Sequence, residues 1–76
     1  MLTPAVCDEI LDLLDQVRQL APSPQAKEYA RAASEAFAMY GEKGLRTQVT
    51  YVLCNVQNWR DEDARRIKAA LKAAVK

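Results

Sequence analysis

All five prolines and glycines of this chain fall at three places: Pro4 near the start, Pro22 and Pro24 in APSP, and Gly41 and Gly44 in YGEKG. The stretches between are free of the residues that stop a helix. With a fourth change of pattern at NWRDED, these points cut 76 residues into four segments joined by short connections. Four segments of helical length on loops this short fit a small all-α bundle, residues 1–76 forming a single helical domain.

The segments carry helical periodicity. Thr3 before Pro4 reads as an N-cap with proline at the first helical position, and Val6, Ile10, Leu13, Val17 and Leu20 then recur at spacings of 4, 3, 4 and 3. Cys7, Leu11 and Leu14 widen this apolar stripe to about half the circumference, while Asp8, Glu9, Asp12 and Asp15 gather opposite. Ser23 and Pro24 repeat the start signal. In the second segment Ala26, Ala30, Ala33 and Ala36 share an inner face with Tyr29, Phe37 and Tyr40, and Gly41 is placed as a left-handed C-terminal cap. Leu45, Val49, Val52, Leu53, Val56 and Trp59 fall within about 120° of arc in the third, although its β-branched residues and the alternation of Val49, Tyr51 and Leu53 also admit a strand over 47–56. The fourth has Asp61, Glu62 and Asp63 in its first turn and Lys68, Lys72 and Lys76 toward its end, as the helix macrodipole favours. Asp61–Arg65 and Glu62–Arg66 stand at the i, i+4 spacing of ion pairs. The helices expected are about 4–21, 24–40, 45–58 and 61–75. Trp59 sits at the last hinge as a core plug, stapled to Ala64 if Arg60 is the cap.

Composition narrows the function. There is no His, and Ser23 and Ser34 are the only serines, so the usual general base and the Ser–His and Cys–His pairings are absent. No catalytic residue is assigned and the chain is read as a non-enzyme. Cys7 and Cys54 stand 47 positions apart without further soft ligands, so no metal is expected, nor any cofactor; both are read as buried free thiols. The stretch MLTPAVCDEILDLLD holds four acids where a secretory signal has its apolar run, and no run is long enough to span a bilayer, which implies a cytoplasmic protein with no membrane partner.

Thirteen of the hydrophobic residues are Ala and only five residues are aromatic, so the core is thin. A chain this short buries about 60% of its unfolded surface, and self-association would add to a marginal balance. Two regions stand out as interface candidates. One is the wide apolar arc of the first segment, with Leu11 and Leu14 to one side of its central stripe. The other is the third segment, where thirteen consecutive residues between Arg46 and Arg60 carry no charge and the outward face presents Thr47, Thr50, Tyr51, Cys54, Asn55 and Asn58. Interface cores are depleted in charge and enriched in Tyr, which singles out Tyr51 and Cys54.

The net charge of +1 conceals two poles. Residues 1–40 hold 6 acids and 3 bases, net −3, and residues 41–76 hold 4 acids and 8 bases, net +4. Arg65, Lys68, Lys72 and Lys76 form a stripe about 80° wide on the fourth segment, suited to phosphates or an acidic protein partner. GEKG has the GxxG spacing with which KH modules clamp a nucleic-acid backbone, but such a module is built on a β-sheet; Gly41 is read as a cap and Gly44 as a turn residue. The functional expectation is an interaction module that self-associates as a homodimer. Its alternative is a small nucleic-acid-binding or regulatory protein using the basic stripe.

Overall fold

The computed structural model describes residues 2–75, and these form four helices with no strand among them: α1 (Pro4–Leu20), α2 (Pro24–Tyr40), α3 (Glu42–Cys54) and α4 (Glu62–Ala74). The chain is a small all-α bundle. The first two starts follow from proline. Thr3 and Ser23 each precede a proline, which forces them into extended backbone, and each hydroxyl accepts the amide hydrogen three residues on, from Val6 and Ala26 at 3.2 Å. Proline also ends α1, because Ala21 before Pro22 turns extended (φ −71°, ψ 140°).

A single residue joins α2 to α3. Gly41 donates its N–H to the Phe37 carbonyl at 2.8 Å and accepts from Leu45 N at 3.2 Å, so it closes one helix and opens the next. Its φ of 68° with ψ −148° is open to glycine, though it is not the left-handed helical cap expected. The third helix therefore starts at Glu42, not Leu45, and Gly44 lies buried inside it, not in a turn. The reason for glycine there is close approach: a Cβ at Gly44 would overlap the Ala36 carbonyl oxygen and lie 2.9 Å from Tyr40 Cβ. The helix also stops earlier, at Cys54, where Asn55 caps it with its backbone N–H (3.0 Å to Val52 O) and side-chain Nδ2 (2.8 Å to Tyr51 O). Val56 and Trp59 remain in the core from the loop that follows.

Asp61 is the N-cap of α4. One carboxylate oxygen accepts Ala64 N at 2.9 Å and the other the Trp59 indole N–H at 3.1 Å, so Asp61, not Arg60, fixes the hinge tryptophan. This commitment leaves Arg65 without the expected Asp61 pair, and Arg66 bonds Asp63 (3.4 Å) and Gln16 of α1 (2.9 Å), not Glu62.

The core gathers Ile10, Leu14 and Val17 of α1, Ala26, Ala30 and Ala33 of α2, Leu45, Val49 and Val52 of α3, and Ile67 and Leu71 of α4. The alanines of α2 let α3 lie close against it, their contact being the most extensive, while α1 packs on α2 and α4. No helix among the described residues is long and apolar enough to cross a membrane.

Candidate interaction surface on α2 and α3

At 100° per residue, Lys43, Thr47, Thr50, Tyr51 and Cys54 of α3 lie within about 100° of arc, opposite Leu45, Val49 and Val52. Because that opposite side is core, the arc faces outward, and all five residues are exposed. The same construction for α2 gathers Gln25, Tyr29, Ala32, Ala36, Met39 and Tyr40 on the flank next to α3; Glu28 and Glu35 border this arc beside Met39, Glu28 sharing a concavity with Gln25 and Tyr29, and Arg31 and Lys27 lie farther round. The two arcs merge into one face with Lys43 inside it and Glu28 and Glu35 along its rim.

Of the five large hydrophobic side chains exposed on the described chain, four belong to this face: Tyr29 (37% exposed), Met39 (64%), Tyr40 (68%) and Tyr51 (44%). Tyr29 and Tyr51 stack across the two helices, with ring centroids 5.0 Å apart and planes inclined by 37°. The polar groups between them are turned inward. Thr47 donates its hydroxyl to the Lys43 carbonyl (2.9 Å) and Thr50 to the Arg46 carbonyl (3.1 Å), so both hydroxyl donors are already satisfied by their own helix. A partner that covers these two threonines strips no water from unsatisfied hydroxyl donors there. Beside Gly44 the seam opens into a groove of about 310 Å³ lined by Ala36, Tyr40, Lys43, Gly44, Thr47 and Gln48, where the Gln48 Oε1 is buried without a hydrogen-bond partner.

The candidate residues read from the sequence divide. Tyr51 and Cys54 lie on this surface, and Cys54 is exposed, whereas Cys7 is buried. Leu14 is only 1% exposed and belongs to the core, and Leu11 is partly buried against it; the wide arc of α1 is covered by α2 and α4. Tyr29 and Tyr40 are solvent-facing, not on the inner face of α2 as expected. The basic stripe is also divided. Arg65 and Lys72 are exposed, but the Lys68 ammonium turns inward and donates to the carbonyls of Val56 (3.1 Å) and Trp59 (2.6 Å); Lys76 lies outside the described residues.

A second concavity, about 480 Å³, lies at the end of the bundle between the α1–α2 and α3–α4 loops, with Ser23, Gln25, Cys54, Asn55, Gln57 and Asn58 among its walls. It holds no ionisable side chain besides the thiol, so it offers no acid–base pair. No group of three or more His, Cys, Asp or Glu placed to hold a metal occurs among the described residues. Comparison of the chain with protein-family models, with curated proteins and with solved structures finds no match.

Proposed function

We propose that this chain is a non-enzymatic interaction module that pairs with a second copy of itself through the outer face of α2 and α3. The observation that supports this is the concentration there of exposed aromatic surface, with Lys43 the one charge inside it and Glu28 and Glu35 at its rim. In a two-fold contact each patch meets its own kind, so a charged patch repels its copy and an uncharged one does not. That criterion disfavours the acidic side of α1, with Asp8, Glu9, Asp12 and Asp15 all exposed, and the cationic side of α4, and it favours the α2–α3 face. Binding of nucleic acid through α4 ranks lower because Lys68, in the middle of the stripe, is committed to two backbone carbonyls. A 17-residue helix is about 25 Å long, so the hairpin face offers on the order of 500 Å² per copy, the size of a weak, transient interface.

Sedimentation equilibrium tests the proposal. The native chain should show a concentration-dependent dimer mass, and Tyr51→Arg, which buries a charge in the contact, should return the monomer without loss of helical circular dichroism. A native chain that stays monomeric at its highest soluble concentration overturns the reading.

A further inference from the structure

If the α2–α3 face pairs with itself, its features also fix how the two copies lie. We propose that α3 packs antiparallel on α3 of the other copy, with the two-fold axis crossing the hairpin at the level of Gln48. Lys43 carries the argument. It stands in the first turn of α3, where its own helix dipole disfavours a cation. A parallel pairing would set Lys43 against Lys43. The antiparallel pairing moves each ammonium to the C-terminal end of the other α3, beside Cys54 and the last carbonyls, where the dipole is negative.

The same axis satisfies shape. At 1.5 Å per residue Lys43 lies about 7.5 Å before Gln48 and Cys54 about 9 Å after it, so Lys43 of one copy comes level with Cys54 of the other. Tyr51 then comes level with residues 45–46, over the small groove beside Gly44. Each copy thus lays one aromatic over the groove of the other.

The inference rests on self-association through this face, and thiol cross-linking separates the two claims. Lys43→Cys with native Cys54 should form a covalent dimer with a mild oxidant or a short thiol-to-thiol linker. The native chain, whose Cys54 thiols would stand about 18 Å apart along the axis, should not, and neither should Lys43→Cys combined with Cys54→Ser. Ready linkage of the native chain, or of that double variant, would mean that like levels face each other and would overturn the antiparallel arrangement. Absence of linkage in every variant, while sedimentation still reports a dimer, overturns the arrangement and leaves self-association standing. Because Lys43→Cys removes the charge under test, a second variant keeps the argument exposed: Lys43→Glu should weaken the dimer roughly three- to thirtyfold, and Lys27→Glu on the far side of α2 should leave it unchanged.

Discussion

The Lys68 ammonium donates to the Trp59 carbonyl at 2.6 Å and, with the same nitrogen, to the Val56 carbonyl at 3.1 Å. One side chain of α4 thus closes the loop that leaves α3, just where Asp61 holds the indole of Trp59 from the other side. Lysine at 68 serves the fold. Lys68→Ala should therefore destabilise the domain by about 1–2 kcal/mol, the worth of charge-assisted bonds discounted for partial exposure, and should shift Trp59 emission to the red as the loop loosens. Urea denaturation followed by that emission measures both, and Lys72→Ala, at an exposed position, is the control. Equal stability of the two variants would remove the clamp.

Gly44 and Gly41 are three residues apart and resist substitution for different reasons. At Gly44 the obstacle is contact: a Cβ runs into the Ala36 carbonyl oxygen and Tyr40 Cβ, so the helix-propensity gain of about 1 kcal/mol from Gly44→Ala is outweighed by a packing cost of 1–3 kcal/mol. At Gly41 there is open space, and the obstacle is the backbone, whose φ of 68° with ψ −148° costs any other residue about 1–3 kcal/mol. Both alanine variants should lose stability in denaturant titrations. Only Gly44→Ala should also disturb the Tyr29–Tyr51 face, by prising α2 from α3.

These glycines show where sequence reasoning reached its limit. The starts of α1 and α2 were legible because a capping side chain followed by proline precedes each helix; that of α4 was placed one residue early, its acids read as a first turn, whereas Asp61 is itself the cap. The start of α3 was not legible, since Gly41 caps two helices with backbone groups alone and nothing at Glu42 announces a helix. Gly44 read as a turn because glycine weakens helices; the closeness of Ala36 that justifies it is tertiary. On the surface, the charge gap between Arg46 and Arg60 singled out Tyr51 and Cys54, and both side chains are exposed. Tyr29 and Tyr40 were lost to the inner face because periodicity defines an arc without saying which flank the next helix covers. The uncharged flank of α2 was the available signal.

Leu14 and Tyr51 were equal candidates in sequence and should separate cleanly in experiment. Leu14 lies in the core with Ile10 and Val17, so Leu14→Ala should cost about 2–5 kcal/mol and Leu14→Arg should leave little folded protein. Tyr51→Arg removes one ring of an exposed stack and should cost the isolated monomer under about 1.5 kcal/mol. Thermal melts at low concentration check this. A Tyr51→Arg monomer that melts with Leu14→Ala would mean that the outer face is part of the core's cohesion and not a free surface.

Glu42 ties the first described residue to α3: its Oε1 accepts Leu2 N at 2.8 Å and Arg46 Nε at 3.1 Å, while Arg46 Nη1 reaches the Val75 carbonyl at 2.7 Å. The Leu2 amide first, and Arg46 second, hold the Glu42 carboxyl below its ordinary value of 4.5 against an opposing desolvation. A carboxyl whose pKa is lower folded than unfolded binds its proton more weakly in the native state, so it contributes stability above the unfolded value and loses it as pH falls through the folded one. Glu42→Gln should accordingly be less stable than the native chain at neutral pH, with a gap that stays constant down to about pH 5 and closes below it. Glu28 is also lowered, by Arg31, but the pair is exposed on a single helix turn and links nothing distant, so Glu28→Gln should track the native curve closely. Urea midpoints measured between about pH 7 and about pH 3 for the three chains decide the matter. Parallel native and Glu42→Gln curves would show that the carboxylate charge contributes nothing to the tie between Leu2, α3 and the end of α4.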